Sequence, residues 1–438
     1  MSLKKIIRNR TVVNAGWIVG GRLMNKALAF LVGLLTARYL GPGNYGLINY
    51  AAAYTTFFAS VCTLGIDAVI IKNFSDHPDE EGTALGTALI LRVVSSVLSA
   101  VMIVGIVFVV DRDEPGTILV VALSSLALIF QAFDSFKQWF QFRLQSKFAA
   151  IATVIAYLVT SAYKLVLLAM GKSVVWFAVS TALDHLVVAA FLFAAYRKNN
   201  GPAFSWSAVK ARELLRASSS YIIAGLMVSI YASTDKLMLK QMLDESAVGF
   251  YGTAVSLSTT WAFLLQAVID SMYPSVIQSH KSNVQRFRRR NRQLYAVVIY
   301  FAAAVSLAIC LLAKPIITIL YGQAYLPTVM PLRIVVWYTA FSYLGVARNA
   351  WMVCENRQKY LKHLYISAAL INVVLNVILI PRFGASGAAA ASLITQMSTT
   401  VILPALIPQL RPNAKLMLEA VLLKWDGLEA RNFGNGAR

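Results

Sequence analysis

Six cationic side chains interrupt apolar stretches of this 438-residue sequence, and their chemistry suits the binding of an anion. Arg22 and Lys26 fall inside the first apolar stretch, residues 12–39. A charge at the middle of a bilayer costs at least about 2.5–3.5 kcal/mol, so both should face protein or water and not lipid. Their spacing of four residues puts them on one face of a helix. Arginine can contact phosphate or carboxylate with two nitrogens, and lysine acts as a point charge.

The other four cations are Lys164, Arg92, Arg333 and Arg348. Lys164 lies deep in its apolar stretch, as Arg22 and Lys26 do, and we expect it to line a cavity. The alternative for these deep cations is a structural ion pair with an acid of a neighbouring helix. The three arginines lie within about two turns of an end of their stretches, where a long side chain can also reach the interface.

Acidic side chains in the same stretches could pair with these cations or carry a proton or Na⁺. Asp67 and Asp270 lie near the ends of two stretches, where helix pairing or gate closure is the simpler role. Asp184 and His185 lie near the middle of another and could form a proton relay, although adjacent helical residues point about 100° apart. Asp235 lies beside a lysine near the end of its stretch, where local pairing suffices.

The composition is that of a polytopic membrane protein. Hydrophobic residues make up 58% of the chain and charged residues 13%, whereas average soluble chains are about 45–50% apolar and 25% charged. The three cysteines are far apart, which argues against a disulfide framework or a metal site, and no cofactor is expected. The basic start precedes an apolar stretch too long for a signal peptide, so we interpret it as an uncleaved first span.

Apolar runs separated by charges or turn signals predict twelve transmembrane helices. Lysine and arginine residues are concentrated in alternate joints, 27 on one side and seven on the other, which predicts that both termini are cytoplasmic. This bias accounts for most of the net charge of +21; attraction to anionic lipid headgroups explains the run at residues 286–292 better than nucleic-acid binding does. The predicted spans are 12–37, 45–71, 85–110, 116–140, 148–170, 173–196, 217–240, 247–275, 293–313, 328–352, 361–380 and 385–407.

The spans divide into two halves. We predict an N-terminal six-helix lobe at 1–196, a cytoplasmic connector at 197–216, a C-terminal six-helix lobe at 217–407, and a cytoplasmic tail at 408–438. Ser207 is expected to cap an amphipathic helix on the membrane surface. A second amphipathic helix is expected in the tail, with Leu418, Val421, Leu422 and Trp425 on one face.

An internal repeat relates the two halves. Residues 40–67 align with residues 243–270 at a constant offset of 203, which pairs Gly46 with Gly249 and Asp67 with Asp270. Both segments join the first and second spans of their half, so the repeat is parallel. Such repeats are typical of transporters, which bind their substrate where the repeats meet.

Four segments resemble signatures of the polysaccharide transporter family, the Wzx-type lipid-linked oligosaccharide flippases of the multidrug/oligosaccharidyl-lipid/polysaccharide exporter superfamily. They read LTARYLGPGNYGLINYAAA, ASTDKLMLKQMLDESAVGFYGTA, KPIITILYGQAYLPTVMPLRIV and LINVVLNVILIPRFGASGAAAASLITQ. The resemblance implies an all-α protein whose two six-helix lobes enclose a central cavity that opens alternately to either side, as in MATE transporters. It also implies a polyprenyl-diphosphate-linked saccharide as the substrate.

This resemblance makes a flippase of the cytoplasmic (inner) membrane the leading hypothesis, with H⁺ or Na⁺ as a possible coupling ion and a polysaccharide polymerase complex as a possible partner. The first alternative is a multidrug exporter on the same scaffold, although cationic drugs would favour an acidic cavity. The second is a membrane-embedded polysaccharide-processing enzyme, which usually needs convergent acids, bases or nucleophiles. No GxxxxGK[ST] loop is present, which argues against an ATP-driven pump.

Overall fold

The computed structural model describes the backbone of residues 10–422 and the side chains of residues 28–223 and 225–422. Over these residues the chain is helical and contains no strand. The α-helices are α1 Arg10–Thr63, α2 Ile70–Asp76, α3 Glu81–Val110, α4 Pro115–Gln131, α5 Ser135–Phe142, α6 Lys147–Ala169, α7 Val174–Lys198, α8 Ala208–Met242, α9 Glu245–Thr260, α10 Ala262–Ser282, α11 Val284–Leu320, α12 Val329–Cys354, α13 Leu361–Phe383, α14 Ala385–Met397, α15 Leu403–Leu406 and α16 Arg411–Val421.

Short turns of other helical types join several of these helices. The 3₁₀ segments are Ile66–Ala68, Pro78–Glu80, Ala132–Asp134, Gln323–Thr328 and Gln358–Tyr360. A π-helical turn, Ser398–Ile402, lies between α14 and α15. The joints between these helices are therefore short.

Nine helical segments of the described chain are long and apolar enough to cross a membrane: Pro78–Val110, Pro115–Phe142, Lys147–Ala169, Val174–Lys198, Glu245–Ser282, Val284–Leu320, Gln323–Cys354, Gln358–Phe383 and Ala385–Leu406. The two parts of α8, Ala208–Ile223 and Gly225–Met242, form a tenth candidate that is bent by 40°. The remaining predicted spans, 12–37 and 45–71, fall largely on α1. The prediction of an all-α polytopic membrane protein is confirmed.

Helix α1 is two helices joined at a kink. Gly41 has a φ of +72°, in the left-handed region that glycine adopts without strain, and Pro42 follows it. The proline lacks an N–H and clashes with the preceding turn of a continuing helix. Gly41 and Pro42 therefore form a single break between two helical arms.

Two compact units make up the chain. The first contains the described residues up to Gly252 together with Leu320–Tyr325. In it α4 packs against α7, α6 against α7, and α1 against α8. One of its hydrophobic cores includes Ile66, Phe74, Leu85, Phe136, Phe140, Leu192 and Tyr196.

The second unit contains Thr253–Ile319 and the described residues from Leu326 onward. Here α14 packs against both α12 and α13, and α10 packs against α12. Its core includes Leu265, Leu294, Tyr295, Val336, Trp351 and Met417. The division into six-helix lobes on either side of residues 197–216 stays a prediction.

The connector is extended over residues 201–207 and packs against the first turns of α3. A Cβ atom on Gly82 would lie 2.3 Å from the carbonyl oxygen of Ala203, and one on Gly86 would lie 2.6 Å from that of Ser205. The Thr83 and Ser205 hydroxyls are hydrogen-bonded at 2.7 Å, and the Ser207 N–H donates to Thr87 Oγ1. Small residues one turn apart thus form a groove that holds the extended chain.

Ser207 caps the following helix as predicted, because its side chain accepts a hydrogen bond from the Lys210 N–H. The predicted surface helix forms the first part of α8, Ala208–Ile223, which a 40° bend separates from Gly225–Met242. Its position on the membrane surface stays a prediction. The predicted tail helix is present as α16, while Trp425 lies outside the described residues.

Candidate functional site

A polar cavity of about 200 Å³ lies within the membrane-spanning parts of three helices of the first unit. We call it the lysine cavity. It is lined by Ala29, Val32 and Gly33 of α1, Tyr157, Thr160, Ser161 and Lys164 of α6, and Ser180, Thr181 and Asp184 of α7. Of the sequence-predicted site residues, the structure therefore brings Lys164 and Asp184 together.

Helical periodicity explains why these side chains converge. Tyr157, Thr160, Ser161 and Lys164 follow the three- and four-residue spacing that forms one stripe along α6. Ser180 and Asp184 are likewise one turn apart on α7. Asp184 is ten residues into α7, about 15 Å at 1.5 Å per residue, so its charge lies well inside the span.

The two charges of the cavity have different surroundings. Thr160 Oγ1 donates a hydrogen bond of 3.3 Å to Asp184 Oδ1. No described carboxylate lies within salt-bridge distance of the Lys164 ammonium, although Asp184 lines the same cavity. A partly buried ammonium beside water-accessible space can exchange its hydration for an anionic oxygen, whereas the hydroxyl groups around it can bond polar groups of a ligand.

Arg22 and Lys26 have side chains outside the described part of the chain, and their role stays a prediction. The helical repeat nevertheless puts positions 22 and 26 on the same face of α1 as Ala29 and Gly33, which line the lysine cavity. Position 26 is one turn from Ala29.

The three arginines predicted as anion ligands each contact protein groups. Arg92 is 1% exposed, and its Nη1 lies 2.7 Å from Asp67 Oδ1 and 3.0 Å from Ser135 Oγ. Arg333 Nε donates to the carbonyl of Cys310. Arg348 Nη1 donates to the carbonyl of Thr399 in the π-helical turn. Their substrate roles stay predictions, but each has a structural role in the present arrangement.

The predicted acids are dispersed. Asp67 pairs with Arg92, and its predicted role in helix pairing or gate closure stays a prediction. Asp270 accepts a hydrogen bond of 2.8 Å from Gln266, one turn away on α10. Asp235 accepts a hydrogen bond from the Tyr251 hydroxyl. His185 neighbours Asp184 in sequence but does not line the lysine cavity.

A second polar cluster, which sequence reasoning missed, lies at the opposite end of α3 from the connector. We call it the Lys240 cluster. The Lys240 ammonium is 7% exposed and lies 2.8 Å from both Glu114 carboxylate oxygens, 2.8 Å from Glu245 and 4.0 Å from Asp111. Gln241 donates to Asp111 and to the Tyr50 hydroxyl, and Tyr50 donates to Asp111 at 2.8 Å. The three acids within residues 111–114 are the sequence feature that could have indicated this cluster.

The Lys240 cluster shifts the pKa of Glu114, which lies in the joint before α4. Partial burial of Glu114 raises its pKa, but the hydrogen bonds and charge of Lys240 outweigh that effect and lower the pKa of Glu114 below its ordinary value. The carboxylate is therefore ionised at neutral pH and holds the start of α4 to the end of α8.

The repeat-related segments contact each other beside this cluster. A Cβ atom on Gly46 would lie 1.7 Å from the Glu245 carbonyl oxygen, and one on Gly249 would lie 2.1 Å from the Pro42 carbonyl oxygen. Pro42 and Glu245 are themselves related by the offset of 203 residues. The two contacts are therefore equivalent under a local two-fold axis between the second arm of α1 and α9.

Comparisons with known proteins agree with this architecture. A family model described as "Polysaccharide biosynthesis protein" matches residues 35–330. The capsular polysaccharide biosynthesis protein CapF of Staphylococcus aureus is 20% identical over 398 residues, which is 88% of this chain and 96% of CapF.

Two solved structures show the same fold. The lipid II flippase MurJ in an inward closed conformation superposes with a TM-score of 0.69 at 13% identity, over 93% of this chain and 91% of MurJ. An inward-facing multidrug resistance MATE family transporter of the MOP superfamily superposes with a TM-score of 0.62 at 16% identity, over 90% of this chain and 96% of that one. The predicted MATE-like fold of about twelve helices is confirmed.

Proposed function

Because the chain belongs to the polysaccharide biosynthesis protein family, we propose that it is a flippase for a polyprenyl-diphosphate-linked oligosaccharide. The membership confirms the family resemblance of the four sequence segments. The proposed substrate is a repeat unit of O-antigen, capsule or exopolysaccharide made on the cytoplasmic face. The proposed location is the cytoplasmic membrane, with both termini in the cytoplasm, and the activity is transport and not catalysis.

The lysine cavity is the observation that carries this proposal. A diphosphate and a sugar chain cross hydrocarbon slowly because their hydration would be lost. An ammonium inside the membrane can replace part of the hydration of a phosphate, and serine, threonine and tyrosine hydroxyls can replace part of that of a sugar. The polyprenyl chain can remain in lipid throughout.

Lys164 is proposed to contact the anionic group of the substrate, with Arg22 and Lys26 as further cations on the adjoining face of α1. Asp184 is proposed to balance Lys164 when no substrate is bound and to take part in coupling to H⁺ or Na⁺. The protein would alternate between states open to one side and to the other. A polymerase or export complex is the proposed neighbour that consumes the flipped product.

The test uses a strain in which the gene is deleted and then restored with variants. Deletion should cause a lipid-linked saccharide to accumulate in the membrane and should reduce surface polysaccharide. Lys164→Gln should restore little export, Lys164→Arg should restore more, and Lys198→Gln, which removes an exposed charge at the end of α7, should restore it fully. Membrane levels of each variant are measured by immunoblot.

Two results would contradict the proposal. If the deletion strain exports normally and accumulates no lipid-linked saccharide, the protein is not a flippase of this class. If Lys164→Gln and charge reversal of both Arg22 and Lys26 leave export intact, the flippase assignment could stand, but the anion site would not.

A multidrug exporter is the second candidate, favoured by the MATE-like fold alone. Resistance of the deletion strain to a panel of cationic drugs separates the two functions. A flippase predicts unchanged drug susceptibility, whereas an exporter predicts increased susceptibility with normal surface polysaccharide.

A further inference from the structure

Helix α11 is longer than a membrane is thick. Its 37 residues span about 55 Å at 1.5 Å per residue, whereas a hydrocarbon core measures about 30 Å. The excess lies at its start, where residues 286–292 contain five arginines. The helix therefore carries these arginines beyond the hydrocarbon, on the predicted cytoplasmic side.

The arginines at this end differ in what they contact. Arg292 lies 3.4 Å from Glu419, and Arg290 donates to Gln293. Arg286, Arg288 and Arg289 are exposed, and no described side chain pairs with them. Phe287 between them is buried, which fixes the direction of this turn of the helix. Three guanidinium groups are thus held outward without a partner among the side chains of residues 28–223 and 225–422.

Helix α16 is fastened along the same part of α11. Asn413 Nδ2 donates to Tyr295 Oη at 2.6 Å, and Tyr300 Oη donates to the Val421 carbonyl at 2.7 Å. Glu419, between Asn413 and Val421 on α16, lies 3.4 Å from Arg292, which is one turn before Tyr295 on α11. The contacts cover the length of α16, so its exposed face has a fixed direction relative to α11.

The exposed face of α16 combines cations with leucines. Arg411, Lys415, Leu418 and Leu422 follow the four-, three- and four-residue spacing of one helical stripe, and all four are exposed. Leu418 is 60% exposed and Leu422 is 56% exposed. Cations and large apolar side chains on one helix are typical of helices that lie in the interface of a membrane.

The charge around this face is predominantly positive. The predicted cytoplasmic joints of the second unit, within residues 270–292, 355–362 and 411–419, carry eleven lysine and arginine residues and three carboxylates. Two of the carboxylates, Glu355 and Glu419, already lie beside His280 and Arg292. The uncompensated charge favours an anionic partner, and the leucines favour one with acyl chains.

We propose that Arg286, Arg288 and Arg289, together with the exposed face of α16, form a binding surface for anionic phospholipids of the bilayer. The arginines and Lys415 contact headgroup phosphates, while Leu418 and Leu422 enter the acyl boundary. Cations distributed over two helices match several headgroups in a plane and not one diphosphate. The surface shares no residue with the lysine cavity, so the proposal does not depend on the proposed substrate.

The test is native mass spectrometry of the purified full chain in a neutral detergent. The protein is titrated with phosphatidylglycerol or phosphatidylcholine, and the bound lipids are counted. Arg286→Gln/Arg288→Gln/Arg289→Gln should weaken phosphatidylglycerol binding on the order of a hundredfold and leave phosphatidylcholine binding unchanged. The control Lys198→Gln/Arg212→Gln/Arg216→Gln removes three exposed cations from the first unit and should retain the preference.

Leu418→Glu provides a second variant should the triple variant not fold. It should also lose phosphatidylglycerol while keeping the thermal midpoint of the parent in neutral detergent. Equal binding by the parent and the arginine variant, or equal loss in the control, would overturn the proposal. Displacement of phosphatidylglycerol by inorganic pyrophosphate at one-to-one stoichiometry would overturn it too, because the surface would then be a single diphosphate site.

Discussion

Gly46 and Gly249, which are equivalent in the internal repeat, contact each other directly: a Cβ atom on Gly46 would lie 2.8 Å from the Gly249 backbone nitrogen. The pairs of repeat-equivalent residues on either side of these glycines also contact each other. A Cβ atom on Gly43 would lie 3.6 Å from Ser246 Oγ, and one on Gly252 would lie 2.6 Å from Asn49 Oδ1. Three equivalent pairs, three residues apart, thus form the crossing of the second arm of α1 with α9.

Replacement of Gly249 by valine should destabilise this crossing. The new side chain would meet the Pro42 carbonyl at 2.1 Å, and backbone cannot give way as a flexible side chain can. Overpacking costs about 1–3 kcal/mol, so the thermal midpoint in detergent should fall by several degrees. Gly116→Val, where a Cβ atom meets nothing within 4 Å, is the control. An equal midpoint for both variants would contradict the close packing.

The stability contribution of Glu114 should depend on pH in one direction. Because its folded pKa is lowered, the contribution is full above the ordinary glutamate pKa of about 4.3 and disappears as the pH falls through the folded value. The difference in thermal midpoint between the parent and Glu114→Gln should be largest at neutral pH and shrink as the pH falls below about 4.3 and through the lowered folded pKa. A difference that grows on acidification would contradict this assignment.

Lys240→Met should destabilise the protein more than Glu114→Gln does. Loss of the ammonium leaves Asp111, Glu114 and Glu245 close together without their shared cation, and Asp111 is buried. Removal of one partner from a buried ion pair costs about 3–5 kcal/mol. Chemical denaturation in detergent measures the loss, with the exposed Lys314→Met as the control. Adding Glu114→Gln to Lys240→Met should restore part of the stability.

Asp67→Asn should destabilise the first unit because it leaves the Arg92 guanidinium buried without its carboxylate. We expect Asp67→Asn/Arg92→Met to be closer to the parent, since an apolar replacement of a buried pair is often neutral. Thermal midpoints of the single and double variants decide this. Asp76→Asn removes an exposed acid nearby and should have no effect. A double variant worse than either single change would mean that the pair is needed for packing as well as charge.

Gly86→Val should displace the connector from α3. The added side chain would meet the Ser205 carbonyl oxygen and N–H, which are part of the extended segment. Trypsin should then cleave faster at Lys198 and Lys210 on either side of it, whereas Gly105→Val in the same helix, with nothing within 4 Å, should not change the rate. Cleavage at the parental rate would show that the connector is held elsewhere.

Much of the fold could be predicted from sequence because it depends on local patterns. Apolar run length predicted the spans, the serine before a helical repeat predicted the cap at Ser207, and a constant offset predicted the equivalence of Gly46 and Gly249. The structure adds that these glycines touch, which an alignment of two segments does not state.

The pairing of charges could not be predicted in the same way. The Arg92–Asp67 bond depends on how α3 lies against the turn after α1, and the Lys240 cluster depends on four separate segments meeting at one end of the unit. Depth in the sequence predicted that Lys164 lies farther from a span end than the three arginines do. It could not show that Lys164 and Asp184 face the same cavity, because that needs the rotation of α6 and α7 about their axes.

The docking of the connector on α3 also constrains the order of assembly during synthesis. Thr87 accepts a hydrogen bond from the N–H of Ser207, which is 120 residues later in the chain. The groove of α3 therefore leaves the ribosome well before the segment that fills it. At about 5–20 residues per second this interval is roughly 6–24 seconds. Gly82, Gly86 and the neighbouring threonines stay uncovered until Ser207 and the start of α8 have been made. Packing around the start of α3 is therefore completed only when translation of the second half has begun.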